Sequence, residues 1–184
     1  MEIPQGFIDI HSHFLPGLDD GPAGLEQCIE TARRYRAAGF GCVVATPHWV
    51  RFTGWTFSPE KITKAAAEVE HELHKAGVDL KILPGMEIAL TEGLERDILE
   101  AKLRCLGTSN FYLVEFPLQG PHINLEKALF HLADQQGKLT VILAHPERCA
   151  AFQDNDALLR KAIAKGGLVQ MNIDSILGSF GVQV

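Results

Sequence analysis

Apolar and β-branched residues in this chain fall in short runs bounded by glycine, proline or polar residues. They are Phe7-Ile8-Asp9-Ile10, Cys42 to Pro47, Lys81 to Met86, Phe111 to Val114, Leu139 to Ala144, and a last one near Leu168 to Asn172. Runs of this length and composition predict strands buried on both faces. Between them, Gly24 to Ala38, Pro59 to Ala76, Glu92 to Leu103, Leu125 to Gln136 and Ala157 to Lys165 carry apolar residues at three- and four-residue spacing. Start and stop signals flank several of these segments: Ser58-Pro59 and Asn124 before, Gly39, Gly77, Gly137 and Gly166 after. Strand and helix alternating with short turns means parallel strands joined by right-handed crossovers, an α/β fold. In such folds the C-terminal ends of the strands converge on the functional face.

What stands at those ends carries the candidate chemistry. The first run closes on His11-Ser12-His13, the second delivers His48, the third Glu87, the fourth Glu115 and the fifth His145. Strand side chains alternate, so His11 and His13 share one face with Asp9 while Ile8 and Ile10 face the other way. Two imidazoles on one rigid element form a natural metal chelate. Taken singly, each of these residues is more often a cap or a hydrogen-bonded core group. Glu115 is the exception, because an acid closing a run as apolar as Tyr112-Leu113-Val114 must be paired, protonated or coordinated. His71, His74, His122 and His131 lie in helical or loop contexts and read as solvated or packed residues.

Composition narrows the alternatives. With 184 residues, 46% of them hydrophobic, the chain is expected to form a single domain, residues 1–184, large enough to bury a core. A net charge of −6 with scattered basic residues argues against a nucleic-acid surface. No apolar run reaches membrane-spanning length, and Met1-Glu2-Ile3-Pro4 lacks the build of a signal peptide, so no membrane insertion and a cytoplasmic location are expected. Cys28, Cys42, Cys105 and Cys149 form no C-x-x-C pair, which leaves nitrogen and oxygen as metal donors. Cys28 and Arg34 fit the Cys-x5-Arg spacing of cysteine-dependent phosphatases. The residues between them lack glycine and belong to an amphipathic helix, whose N–H groups cannot cradle a phosphate.

Six segments together resemble the bacterial tyrosine-protein phosphatases of the PHP (polymerase and histidinol phosphatase) type, found in capsule and exopolysaccharide operons. They are Asp9-Ile10-His11-Ser12-His13 with Leu15 to Gly21, Ala45-Thr46-Pro47-His48, Gly85-Met86-Glu87, Leu113 to Pro117, Ala144 to Arg148, and Gln170-Met171-Asn172 with Ser175 to Gly178. The resemblance implies a distorted, TIM-like (β/α)7 barrel whose strand ends hold up to three divalent ions. It places His11 and His13 on a first metal, Glu87 between first and second, Glu115 and His145 on the second, and Asp20 and His48 on the third. Arg148 matches an arginine that engages phosphate, although on its own it reads as a surface salt bridge with Glu147 or Asp154. The loop that carries Asp19 and Asp20 is an ordinary turn sequence, and the resemblance selects Asp20.

A His and carboxylate donor set without thiolate suits Mn²⁺, Fe²⁺ or Zn²⁺, and the carboxylate share tilts toward Mn²⁺. The expected reaction is hydrolysis of a phosphotyrosine protein, a bacterial tyrosine kinase, by metal-activated hydroxide. A phenolate leaves readily, so little is asked of a general acid. Trp49, Val50, Phe52 and Trp55 follow His48 with Arg51, and these aromatics either stack on a tyrosyl ring or pack the barrel rim. The sequence departs from the resemblance at its end, where family members continue through another helix, a strand and an Asp-x-His motif. The barrel is therefore expected to be truncated after the sixth strand, with first and third metals incomplete unless a homo-oligomeric partner completes them. A PHP phosphoesterase acting on a small phosphorylated metabolite, and a metal-binding scaffold with little catalysis, stay open beside the phosphatase.

Overall fold

The structure, a computed structural model, describes residues 6–119, 125–133 and 138–180. The helix signals Asn124 and Gly137, the expected helix end Gln136, and His122 lie outside the described residues. The chain divides into two compact units, residues 1–87 with 102–109, and residues 88–101 with 110–184.

In the first unit three parallel strands, β1 (Phe7–Ser12), β2 (Phe40–Ala45) and β4 (Lys81–Pro84), lie in the order β1-β2-β4, and a two-residue strand, β3 (His48–Trp49), follows β2 in the chain without joining this sheet. Helix α1 (Leu25–Ala37) links β1 to β2 and α2 (Pro59–Lys75) links β3 to β4. α2 buries Ile62, Ala66, Val69 and Leu73, a single stripe at helical spacing, and starts where Ser58 Oγ accepts the Lys61 N–H at 3.3 Å. α1 buries Cys28 and Ala32, one turn apart. The core of this unit is β2, whose residues from Gly41 to Ala45 are buried, with Phe14, Leu15, Ile82 and Met86 around it.

In the second unit β5 (Glu87–Ala89, whose first residue, Glu87, belongs to the first unit), β6 (Phe111–Glu115), β7 (Thr140–Ala144) and β8 (Leu168–Gln170) lie in that order, and β6-β7 and β7-β8 pair in parallel. Helices α3 (Leu94–Leu99), α4 (Leu125–Ala133), α5 (Ala150–Asp154) and α6 (Asp156–Ala164) make the crossovers, and α7 (Ile173–Ile176) follows β8. Asn155 Oδ1 caps α6 by accepting the Ala157 N–H at 3.0 Å. Leu113, Val114, Val141 and Leu143 form the sheet's buried centre, with Leu129 and Leu132 of α4 buried as well.

Alternating parallel strands and helices are thus the architecture in both units. Three local expectations are corrected. The first and last strands are not buried on both faces: Phe7 is 69% and Leu168 47% exposed, because each strand lies at the edge of its sheet and has a neighbour on one side only. Glu87 does not close β4, which ends at Pro84, but opens β5 after Gly85-Met86. The helix expected from Glu92 to Leu103 is the single stretch Leu94–Leu99, set off by Gly93 in the left-handed region at φ 77°. No helix among the described residues is long and apolar enough to cross a membrane.

Candidate metal centre

The end of β1 is shaped before any ligand is placed. Pairing with β2 is irregular between Asp9 and Ser12. There Asp9 Oδ1 accepts the His11 N–H at 3.0 Å, and its Oδ2 accepts the Tyr35 hydroxyl of α1 at 2.6 Å. Regular pairing resumes where Thr46 N donates to the Ser12 carbonyl at 2.8 Å and Thr46 Oγ1 accepts from Ser12 N at 3.0 Å. His11 and His13 leave this junction with ring centroids 5.6 Å apart. On the neighbouring side, Gly85 N donates to Ala45 O at 2.8 Å and Glu87 N to Pro47 O at 3.1 Å, which draws Glu87 beside His48. Glycine at position 85 allows this close approach, since a Cβ there would stand 2.9 Å from Val44 Cγ1 and 3.0 Å from Leu106 Cδ2 and would force those side chains to shift.

Glu87 is fully buried and sits among three imidazoles. His11 Nε2 is 3.2 Å from its Oε1, and His13 Nε2 and His48 Nδ1 are each 3.1 Å from its Oε2. The His48 Nδ1 contact has no hydrogen-bond geometry despite its length, as expected of two donors facing a common point. A second grouping brings together His13, Asp20 and His48, with ligand atoms within 4.8 Å of one another. Asp20 Oδ1 lies 3.3 Å from His13 Nδ1 and 3.9 Å from His48 Nε2, and its side chain is 62% exposed.

Electrostatics in this cluster favour added positive charge. Burial by itself lowers the pKa of His13, but its hydrogen bonds to Asp19 and Glu87 and their charges outweigh that and raise it to about 10. For Asp19, burial pushes the pKa up while the His13 bond and the His48 and Gly21 N–H groups hold it below the ordinary carboxylate range. A half-buried imidazole held in its charged form by two carboxylates lies where those carboxylates favour a cation.

The second unit places Glu115 at the end of β6 and His145 just past the end of the adjacent β7, Glu115 facing Ala144 across the β6-β7 ladder. His145 Nε2 is 3.8 Å from Glu115 Oε1, and His145 is 3% exposed. Its N–H still donates to Gln170 O at 2.8 Å, but its φ of 30° turns the chain out of the strand. A histidine in the left-handed region is uncommon, and such strain gathers at functional sites. Arg148 follows in the 3₁₀ turn Pro146–Arg148, with its guanidinium carbon 4.5 Å from the Phe180 ring centroid. Glu147 is not its partner: Glu147 Oε1 accepts the Asn172 N–H at 3.1 Å. The side chain of Asp154 lies outside the described residues.

Five predicted residues, His11, His13, Asp20, His48 and Glu87, thus meet in the first unit, and two, Glu115 and His145, in the second. Sequence reasoning missed the residues that hold them. Asp19, with no exposed side-chain surface, accepts from His13 Nδ1 at 2.6 Å, His48 N at 2.8 Å and Gly21 N at 3.1 Å. Asp9 and Tyr35 brace His11. Trp55 stacks on His48 with centroids 5.0 Å apart and planes 12° apart. The one signal available was the doubled aspartate after Pro16-Gly17-Leu18, which offers one carboxylate to bind and one to brace.

Residues 7–184 match the family described as Capsular polysaccharide synthesis, CpsB/CapC. Tyrosine-protein phosphatase YwqE of Bacillus subtilis (strain 168) is 34% identical over 178 residues, 96% of this chain and 68% of YwqE. Tyrosine-protein phosphatase CpsB of Streptococcus agalactiae serotype V is 30% identical over 171 residues, 92% of this chain and 69% of CpsB. Among solved structures, one from the work on YwqE of Bacillus subtilis and CpsB of Streptococcus pneumoniae, described as unique metal-dependent tyrosine phosphatases, matches with a TM-score of 0.86. It shares 32% identity and covers 96% of this chain and 70% of that one.

Proposed function

This chain belongs to the CpsB/CapC capsular polysaccharide synthesis family, and from that premise we propose that it is a metal-dependent protein-tyrosine phosphatase of the PHP type. The observation that carries the reading is Glu87, a fully buried carboxylate with three imidazole nitrogens 3.1–3.2 Å from its oxygens. That donor set fits a divalent ion: nitrogen and oxygen only, fixed by backbone hydrogen bonds at Pro47 and Ala45. Its carboxylate share supports Mn²⁺, with Fe²⁺ and Zn²⁺ as alternatives. We assign His11, His13, Asp20, His48, Glu87, Glu115 and His145 as ligands of up to three ions. Family membership supports the distorted (β/α)7 barrel as the fold, with residues 1–184 as one domain of that kind.

Bound ions would supply Lewis acidity and a water of lowered pKa. The chain's own residues do the rest. Asp19 fixes the His13 ring by accepting from Nδ1, which turns Nε2 toward Glu87. Arg148, its guanidinium packed on Phe180, keeps its N–H edge for two phosphate oxygens, the bidentate contact that neutralises charge as the ester bond breaks. The leaving phenolate needs no strong acid beside it. The substrate is a phosphotyrosine protein, and membership of a capsule-synthesis family supports a bacterial tyrosine kinase as its class.

The test is metal analysis of the purified chain together with turnover of a phosphotyrosine peptide, with and without added Mn²⁺. Glu87→Gln and Glu115→Gln should each lose metal and activity while the circular dichroism spectrum holds. Full metal content in both variants, or undiminished turnover after chelation, would refute the assignment.

A further inference from the structure

The loop that follows His48 carries an arrangement that metal binding does not require. Trp49, the next residue, is buried and belongs to the core. Beyond it the chain folds into a tight turn on one carbonyl: Val50 O accepts the Thr53 N–H at 3.3 Å, Thr53 Oγ1 at 2.7 Å and Thr56 Oγ1 at 2.8 Å. Val50 N donates to Trp55 O at 3.3 Å, and Trp55 N to Thr53 Oγ1 at 3.1 Å, so the turn is closed at both ends. At its tip Phe52 is 94% exposed with φ 63°. Both properties run against its chemistry. A phenyl ring gains by burial, and the left-handed region disfavours any residue with a Cβ. Strain of this kind persists only where the surroundings impose it, and it collects at ligand clamps.

Two neighbours give the turn a direction. Arg51 places its guanidinium carbon 5.8 Å from the Phe52 ring centroid and 5.9 Å from that of Trp49, fastening the exposed ring to the buried one. Trp55 lies flat on the His48 imidazole, which itself stands 3.1 Å from Glu87, and still leaves 38% of its surface exposed. The candidate centre thus has one open indole stacked on a candidate ligand, and an open phenyl three residues away on the same hydrogen-bonded turn.

We propose that Phe52 and Trp55 form the platform that receives the phenyl ring of phosphotyrosine. This selects aryl over alkyl phosphate esters, and it rests on the phosphatase reading above. A phosphoryl group held beside His48 sets the ring of its ester one group further out, level with Trp55 rather than among the ligands. Aromatic rings pair there in offset or edge geometry, with Phe52 as the second wall. An alkyl phosphate such as phosphoserine has nothing to place between them.

The experiment compares two fluorescently labelled peptides of one sequence, bearing phosphotyrosine or phosphoserine, on the Mn²⁺-loaded chain. Binding is read by anisotropy and turnover by phosphate release, for wild type, Phe52→Gly, Phe52→Trp and Trp55→Leu. Wild type should prefer the phosphotyrosine peptide. Phe52→Gly should lower that affinity about three- to tenfold, more than it lowers phosphoserine affinity, and its melting temperature should hold or rise because glycine relaxes the positive φ. Phe52→Trp should restore the preference, and Trp55→Leu, with metal content measured alongside, should reduce it. Equal binding of the two peptides by wild type, or an undiminished preference in Phe52→Gly, overturns the platform. Turnover of both peptides at one kcat/KM, with equal binding, removes the platform and keeps the phosphatase. Preferential binding of phosphotyrosine with no turnover in Mn²⁺ does the reverse.

Discussion

Replacing Asp19 by Asn leaves the size of the side chain and takes away its charge. Asp19 Oδ2 faces two donors, His13 Nδ1 at 2.6 Å and His48 N at 2.8 Å, while Oδ1 faces Gly21 N at 3.1 Å. An amide has one oxygen for these two directions. Turned toward His13 and His48, it sets its NH₂ against the Gly21 N–H. The part-buried donor left without an acceptor costs about 1–3 kcal/mol, and trading a charge-assisted bond to His13 for a neutral one costs about 1 kcal/mol more. Stability of the metal-free protein should therefore fall by about 2–4 kcal/mol, and at roughly 2–4 °C per kcal/mol for a chain of this length the melting temperature drops on the order of 10 °C. Loss of a partner that orients a metal-binding histidine lowers metal affinity about 10- to 100-fold, or about 1.4–2.8 kcal/mol, which matches one charge-assisted bond. Calorimetric titration of the stripped protein with Mn²⁺ measures the affinity, and a thermal melt without metal measures the stability. Asp20→Asn is the contrast: its side chain is 62% exposed, so it should lose affinity with little change in melting temperature. If Asp19→Asn binds Mn²⁺ within twofold of wild type, Asp19 does not position His13 and the reasoning fails.

Two further outcomes follow from the titrating groups. The folded metal-free protein raises His13 from 6.5 to about 10; its contribution to stability is full below the unfolded pKa and lost as pH climbs through the folded one. Melting temperature of the stripped protein should fall between about pH 6.5 and pH 10, more steeply than in His13→Gln, and a parallel fall in the variant would remove His13 as the cause. Burial pushes the Cys28 and Cys42 thiols up to about 11, so both are thiols at neutral pH and activity should survive iodoacetamide. Loss of turnover in Cys28→Ser at unchanged metal content would mean that the wrong phosphatase chemistry has been assigned.

The α/β character was legible because each layer carries its own period. β2 and β7 are unbroken apolar runs, and α2 shows its buried stripe at positions 62, 66, 69 and 73. Apolar content by itself did not mark the edge strands. Nothing in Phe7-Ile8 or Leu168-Val169 distinguishes a strand with two neighbours from one with a single neighbour, because apolar content reports what a strand prefers and not what is beside it. The same limit shortened α3: Glu92 to Leu103 has helical spacing, but Gly93 and Ala101 adopt positive φ at its ends, and turn geometry overrides spacing.

The candidate ligands were legible for a different reason from the residues that brace them. A histidine or acid at the end of an apolar run contradicts its surroundings, and contradiction shows in one dimension: Glu87 and His145 stand out because the residues before them are core residues. Asp19 contradicts nothing, since it sits in a turn sequence; Asp9 does interrupt Ile8 and Ile10, but as a neighbour of the histidine pair it reads as part of the same polar face. The roles of both depend on donors brought from elsewhere in the chain, the His48 N–H to Asp19 and the Tyr35 hydroxyl to Asp9. The choice between Asp19 and Asp20 shows the same limit. The sequence presents two identical carboxylates, and burial alone separates them: Asp19, closed off, takes three hydrogen bonds, while Asp20, exposed, keeps an oxygen 3.3 Å from His13. Trp55 is a third case, since an aromatic four residues before helix α2 does not show in the sequence which residue it covers until His48 lies flat beneath it. A site of this kind is therefore announced by the residues that would bind the ion, and completed by residues that only the fold can identify.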